Sequence, residues 1–152
     1  MATTAAEQPA SALFVDTNVL VYANVNEAPQ HQAALAAIDQ ARKDGRVLWI
    51  SRQVLREYLV TLTRPQAFQD VPLITVLEQV QLFQNHFEIA DDTDTVTDQL
   101  MQLMDDIPIG GKQVHDANIV ATMLAHDIPA LLTHNGKDFE RFADRIAVEA
   151  IN

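Results

Sequence analysis

Short runs of apolar and β-branched residues alternate along this chain with longer segments in which apolar residues recur every three or four positions. Each run is too short to form a helix and is nearly continuous in its apolar character, which predicts a strand buried on both faces of a sheet. The runs lie at residues 13–15, 47–50, 87–89, 131–133 and 146–148.

The longer segments have the spacing of amphipathic helices. Their apolar stripes run through residues 34–41, 55–62, 73–83, 96–104 and 117–124. Ser51 is placed to cap the second of these helices, and Pro72 is placed to begin the third. Strands that alternate with helices favour right-handed crossovers and a sheet covered on both faces. We therefore expect an α/β fold, a three-layer α/β/α sandwich with a mostly parallel sheet of about five strands.

Length and composition limit the domain organisation. The chain has 152 residues, the size of one domain with a real core, and we expect that domain at residues 12–152. Residues 1–11 are expected to form a flexible polar tail, since they lack the basic start and the apolar stretch of a secretory signal. No apolar run approaches the roughly 20 residues that cross a membrane, so we expect a cytoplasmic protein. The absence of cysteine excludes disulfide scaffolds and thiol nucleophiles.

The charge balance bears on possible partners. The chain carries 10 Lys and Arg against 21 Asp and Glu, a formal net charge of -11. This excess argues against a nucleic-acid binder that relies on a broad basic surface. Most of the acids are expected to lie on solvated helix surfaces. A few that converged on a divalent cation would reverse the local field, so their positions decide between the two interpretations.

Two acids follow predicted strands, where an open parallel sheet binds its ligands. Asp16 directly follows the first strand and precedes a helix. Taken alone, it fits either a site residue or the N-cap of that helix. Asp138 follows the fourth strand, behind the turn residues Asn135 and Gly136. Taken alone, it fits either a site residue or a capping residue of that turn.

Two further acids lie on predicted helices. Glu57 is two residues from both Leu55 and Leu59, which places it about 160° to 200° around the helix from their apolar line. Taken alone, it fits an exposed position. Asp116 lies in the first turn of the fifth helix, where the helix dipole alone would favour an acid. Together the four acids form a set of hard oxygen ligands that suit Mg²⁺ or Mn²⁺.

In their order and spacing, the four acidic segments resemble the signature of the PIN domain, and among PIN domains the VapC-type ribonuclease toxins of bacterial toxin–antitoxin pairs. The segments are Asp16-Thr17-Asn18-Val19-Leu20, Glu57 in its helix, Val114-His115-Asp116-Ala117, and Thr133-His134-Asn135-Gly136-Lys137-Asp138-Phe139. The resemblance covers nearly the whole chain from Leu13 onward. It implies an endoribonuclease that requires Mg²⁺ or Mn²⁺, forms a homodimer and is neutralised by a cognate antitoxin protein.

The resemblance also implies roles for individual residues. Asn135 stands where many family members carry Asp and offers only a neutral oxygen, so Asp138 becomes the candidate fourth catalytic acid. The implied metal ligands are Asp16, Glu57 and Asp116, and we expect Thr17, Asn18 and Asn135 to support them through hydrogen bonds. Basic residues are otherwise scarce, and we interpret those within the same segments, Arg52, Arg56, Lys112 and Lys137, as contacts to RNA phosphates.

Two other classes of protein compete with this interpretation. The first is a phosphotransfer enzyme on a similar fold, and a haloacid dehalogenase-type phosphatase would need a second Asp at the position of Asn18. A response-regulator receiver would need an acid pair before Asp16, where the first strand supplies none. The second is a non-catalytic PIN-like module that binds RNA or a protein without cutting. The three acids at matching positions favour the enzyme over this module.

Overall fold

The computed structural model describes residues 11–65 and 71–151. The expected N-terminal tail falls almost entirely outside the described residues. In chain order the elements are β1 (Leu13–Val15), α1 (Thr17–Asn24), α2 (His31–Lys43), β2 (Leu48–Ser51), α3 (Arg52–Thr63), α4 (Leu73–His86), β3 (Glu88–Ala90), α5 (Asp94–Asp106), α6 (Gln113–Ala125), β4 (Ala130–Thr133), a 3₁₀ helix (Gly136–Phe142) and β5 (Ala147–Ala150).

The described strands form one parallel sheet in the order β3-β2-β1-β4-β5. This confirms the predicted α/β sandwich and its five-stranded sheet. The first strand, β1, lies at the centre, with β2 and β3 on one side and β4 and β5 on the other. Strand order therefore reverses at the β1–β4 pair. In parallel sheets, the crevice that receives a ligand opens beyond the carboxyl ends of the strands at this point.

All five predicted strands are present, with ends that differ by one or two residues. The prediction ended the last strand at residue 148, whereas β5 continues to Ala150 because that residue pairs with Thr133 of β4. Likewise β2 ends at Ser51, which pairs with Ala90. Hydrogen-bond register with the neighbouring strand sets these ends, and the apolar pattern of one segment does not contain that register.

The helices follow the predicted stripes, with one addition. The five stripes lie on α2, α3, α4, α5 and α6. The short helix α1 shows no stripe because nearly every side of it is buried, including Val19, Leu20 and Val21. A helix that is apolar all round packs inside the domain, so α1 lies against the sheet and fixes the residues that directly follow β1.

Caps at two strand–helix junctions place the candidate site. The Ser51 hydroxyl accepts a hydrogen bond from the Val54 amide at 3.3 Å, which confirms Ser51 as the cap of α3. Asp16 occupies the same position before α1. Both helices therefore start immediately at the carboxyl edge of the sheet. No helix in residues 11–65 and 71–151 is both long and apolar enough to span a bilayer.

Candidate active site

A cavity of about 1070 Å³ opens at the carboxyl edge of the sheet, beside the point where strand order reverses. Three of the predicted acids line it: Asp16 from the end of β1, Glu57 from α3 and Asp116 from α6. Its other polar lining residues are Thr17, Asn18, Tyr22, Gln53, Arg56, Thr61, Arg64, His115 and Asn135. The fold thus brings together carboxylates that are far apart in the sequence.

Asp16 is the most buried of these acids, with 7% of its surface exposed. One carboxylate oxygen accepts a hydrogen bond from the Thr17 backbone amide at 2.8 Å. The other accepts hydrogen bonds from the Thr133 hydroxyl at 2.8 Å and the Asn18 side-chain amide at 3.3 Å. Asp16 is therefore an N-cap and a cavity residue at once, and the two interpretations of the sequence hold together.

Glu57 is half-buried and points toward α1. Its Oε1 accepts a hydrogen bond from the Thr17 hydroxyl at 2.7 Å, and its Oε2 accepts one from the Gln53 side-chain amide at 3.0 Å. The exposed position that the helical wheel suggests for Glu57 is wrong. The face opposite Leu55 and Leu59 meets the cavity because α1 packs beside α3 there.

Asp116 lies in the first turn of α6, as predicted, and is half-buried. Within the described residues, its carboxylate takes part in no hydrogen bond or ion pair. Its electrostatic neighbours are the carboxylates of Asp138 and Glu57, whose effect is opposed by Arg141 and His115. Asp116 therefore presents a carboxylate whose oxygens are available to a ligand in the cavity.

Burial and mutual repulsion raise the pKa of two of these acids. Desolvation is the main cause for Asp16, and the charges of Glu57 and Asp116 add to it, so that its pKa rises to about 6 despite the hydrogen bonds from Thr133 and Thr17. Desolvation also leads for Asp116, followed by the charges of Asp138 and Glu57, and raises its pKa to about 6. A cation between the carboxylates would relieve both effects.

The carboxylate oxygens of the cavity are chemically suited to a divalent cation, although they do not form a complete coordination shell. Within residues 11–65 and 71–151, no group of three or more acidic or histidine side chains is arranged to surround an ion. Mg²⁺ commonly takes one or two carboxylates and keeps several waters. Asp16 and Asp116 meet that smaller requirement. Both carboxylates line one cavity, and the charge of Glu57 contributes to the raised pKa of each.

The predicted supporting residues lie around Asp16. Thr17 bridges to Glu57, as described above. Asn18 donates to Asp16 and accepts a hydrogen bond from the His134 backbone amide at 3.1 Å, which ties the start of α1 to the end of β4. Asn135 is exposed, lines the cavity and donates its backbone amide to the Thr133 hydroxyl at 3.0 Å.

Asp138 occupies a different position from the other three acids. It is exposed in the 3₁₀ helix and does not line the cavity, but its charge acts on Asp116. Its backbone amide donates to the Asn135 carbonyl oxygen at 3.0 Å, as expected for a turn residue. The structure thus brings Asp138 to the rim of the site, where its negative charge reaches Asp116.

The four predicted RNA contacts are not together. Arg56 lines the cavity. Arg52, one turn earlier on α3, does not line the cavity and lies 3.4 Å from the Asp91 carboxylate and 3.2 Å from the Gln84 side chain. Lys112 and Lys137 are exposed and lie outside the cavity lining.

Several lining or supporting residues, among them Thr133, Arg64 and Gln53, were absent from the sequence prediction. Thr133 ends β4 and donates to Asp16, a role indicated by its place at the carboxyl end of a predicted strand. Arg64 lines the cavity and directly follows the end of α3. Gln53 lies one turn before Glu57, so helical spacing could have paired their side chains; its bond to the backbone of α6 is tertiary and left no sequence signal.

The all-parallel sheet and the acidic crevice at its switch point define an α/β domain whose site is built from carboxylates. The model of the PIN domain family matches residues 13–145. The chain therefore belongs to the PIN domain family, as the acidic segments predicted. A search among curated proteins gives no match.

Solved structures share the fold. VapBC2 from Rickettsia felis, bound to a DNA fragment from its promoter, has 20% identity and a TM-score of 0.68 over 93% of this chain and 99% of that one. A toxin–antitoxin complex from Klebsiella pneumoniae has 21% identity and a TM-score of 0.64 over 92% and 97%. VapC20 from Mycobacterium tuberculosis, a sarcin–ricin loop cleaving toxin, has 16% identity and a TM-score of 0.59 over 79% and 87%.

The raised pKa of Asp16 predicts how the metal-free protein responds to pH. The folded state holds a proton up to about pH 6, whereas an unfolded Asp releases it near pH 3.9. The folded state therefore binds more protons between these values, and stability falls as pH rises from about 4 to about 7. Two pKa units correspond to about 3 kcal/mol, as an upper value for Asp16.

Denaturant unfolding in EDTA at pH 4.5, 6 and 7.5 tests this prediction with wild type and Asp16→Asn. We expect the stability of the variant to fall much less as pH rises, and we expect the variant to be more stable than wild type at pH 7.5. Parallel pH curves for the two proteins would show that the Asp16 carboxylate is not destabilised by its site.

Proposed function

We propose that this PIN domain is an endoribonuclease that requires Mg²⁺ or Mn²⁺ and acts as the toxin of a toxin–antitoxin pair. The observation that carries the proposal is the meeting of Asp16, Glu57 and Asp116 on one cavity at the switch point of the sheet. Two of these carboxylates, Asp16 and Asp116, have a pKa raised to about 6 by burial and by the charges of nearby acids. Carboxylates whose charged forms are destabilised in this way favour a site with a bound cation over an empty one.

The residues divide the work of phosphodiester hydrolysis. When bound, the divalent cation activates water and neutralises charge on the phosphate oxygens. Asp16 and Asp116 would hold it, and the Thr133 and Thr17 hydrogen bonds keep the Asp16 carboxylate in one orientation. Glu57, fixed at both oxygens by neutral donors, binds the cation or orients the attacking water.

A local basic edge gives an acidic protein a way to hold RNA. Arg56 lies on α3 and Arg64 directly follows the end of that helix, and both line the cavity. Tyr22 lines it on the α1 side, and the His134 ring packs edge-on against it with centroids 5.3 Å apart. Guanidinium groups bind phosphates and aromatic rings stack on bases, so we infer that a single-stranded segment enters along α3.

The antitoxin is the second proposed partner. The similar structures from Rickettsia felis and Klebsiella pneumoniae are toxin–antitoxin complexes by description, which supports a protein partner for this chain. An arginine from such a partner suits the cavity, because one guanidinium bridges two carboxylates at the place of the cation. The partner would then block the site by supplying the charge that the acids lack.

A homodimer is also proposed. Large apolar side chains are exposed on two helices, α4 and α5, and offer surfaces for self-association. They are Leu73, Ile74, Leu77 and Leu82 on α4 and Met101 and Met104 on α5.

Cleavage of total RNA by the purified chain tests the proposed activity. With Mg²⁺ or Mn²⁺ we expect discrete fragments, and with EDTA none. Asp16→Asn should lower the rate by at least about a hundredfold, because a neutral amide replaces a charged metal ligand. Asp144→Asn, which removes an exposed acid outside the cavity, is the matched control and should cleave like wild type.

The same variants distinguish the enzyme from a non-catalytic module. Full cleavage by Asp16→Asn, or cleavage that persists in EDTA, would contradict the site assignment. Binding of RNA without cleavage by wild type would favour the non-catalytic alternative. In cells, wild type should slow growth, Asp16→Asn should not, and co-expression of the adjacent small gene should restore growth.

The salt dependence of cleavage tests the RNA path. Each phosphate contact adds about 0.7 to the steepness with which binding by single strands weakens with salt. Arg56→Ala and Arg64→Ala should therefore raise KM severalfold and flatten the salt slope, with little change in kcat. Arg52→Ala on the same helix is the control, because its guanidinium faces Asp91.

Lys112→Ala and Lys137→Ala belong in the same measurement, since both lysines lie outside the cavity lining. A KM effect in these two variants and none in the two cavity arginines would place the RNA on the other side of the site.

A further inference from the structure

We propose that Gln53 is a positioning residue that sets the separation of Glu57 and Asp116, and that Asn118 fixes the orientation of its amide. The inference rests on the proposed function insofar as the two acids serve a cation. We call the hydrogen bonds made by the Gln53 side chain to Glu57, His115 and Asn118 the Gln53 bridge. It joins α3 to α6 beneath the cavity.

Three hydrogen bonds make up the bridge. The Gln53 Nε2 donates to Glu57 Oε2 at 3.0 Å and to the backbone carbonyl of His115 at 2.9 Å. The Gln53 Oε1 accepts from the Asn118 side-chain amide at 2.8 Å. His115 directly precedes Asp116, so one amide group contacts the carboxylate of one acid and the backbone beside the other.

The chemistry of the partners allows only one orientation of the Gln53 amide. Glu57 Oε2 and the His115 carbonyl oxygen are both acceptors, and they need the NH₂ group between them. The carbonyl end of Gln53 then faces Asn118, which supplies a donor. Gln53 is 8% exposed, so water is poorly placed to replace a lost partner. A half-satisfied buried amide is costly, and this cost holds the three groups together.

The Gln53 bridge is important because α3 and α6 each pack mainly against other helices. The helix α6 packs chiefly against α5, and α3 packs chiefly against α1 and α4. Glu57 and Asp116 repel each other across the gap between them. Hydrogen bonds from Gln53 to the start of α6 oppose this repulsion. Residues that orient metal ligands commonly change metal affinity by 10- to 100-fold when replaced.

Thermal unfolding at increasing Mg²⁺ and Mn²⁺ tests the bridge without RNA. Binding of a cation to the folded state raises Tm by an amount that grows with the logarithm of the cation concentration relative to Kd. Gln53→Met, similar in shape but without donors, should raise the cation concentration needed for a given Tm increase by roughly tenfold. Asn118→Leu removes only the hydrogen bond that orients the Gln53 amide, and it should raise this cation concentration by a smaller factor.

Thr122→Val is the matched control. Thr122 is 2% exposed on the same helix, and its hydroxyl donates to the Asn118 backbone carbonyl at 2.8 Å, outside the bridge. The variant should lose stability but need the wild-type cation concentration for a given Tm increase. The wild-type concentration in Gln53→Met, or an equal shift of it in Thr122→Val, would overturn the proposal, because the effect would then be absent or merely a loss of stability.

A second measurement keeps the proposal testable if the wild-type Tm does not respond to either cation, a result that would contradict the proposed metal dependence. In EDTA, Asp116→Asn should raise Tm because it removes a desolvated charge that faces Glu57. Without the bridge the helices relax apart, so the same substitution should raise Tm less in a Gln53→Met background. An equal gain in both backgrounds would show that Gln53 does not hold the acids together.

Discussion

The burial of the Asp16 carboxylate at the end of the central strand is the constraint on which the site depends. A carboxylate in a poorly solvated place is unfavourable unless it is hydrogen-bonded, neutralised or paired with a cation. Thr17, Thr133 and Asn18 supply the hydrogen bonds, yet the pKa still rises to about 6. The remaining free energy is available to whatever positive charge enters the cavity, whether a metal ion or a guanidinium group.

The strand order of the sheet places these hydrogen-bond partners around Asp16. Since β1 is central and strand order reverses beside it, the ends of β1 and β4 meet, and Thr133 reaches Asp16 across the reversal. The helix α3 begins directly at the cap Ser51 and brings Glu57, in its second turn, to the hydroxyl of Thr17. A site built on rigid strand ends and the first two turns of helices keeps its carboxylates close despite their repulsion.

The sequence predicted the layers, the parallel sheet and the family, because these follow from apolar periodicity and the spacing of four acidic segments. It also predicted that Asp16, Glu57 and Asp116 share a cavity. It could not tell Arg56 from Arg52, since both lie on α3 and only the packing of α4 and β3 gives Arg52 an acidic neighbour. Nor could it identify the Gln53 bridge, because the contact between α3 and α6 joins residues far apart in the chain.

Calorimetric titration of Mg²⁺ or Mn²⁺ into the metal-free protein, in two buffers of different ionisation enthalpy, tests the central claim most directly. At pH 6, Asp16 and Asp116 are each about half protonated because both pKa values are about 6. Ligands must lose their protons to bind a metal, so we predict a release of about one proton per ion at pH 6 and almost none at pH 8. Binding without proton release at pH 6, or no binding at either pH, would contradict the account.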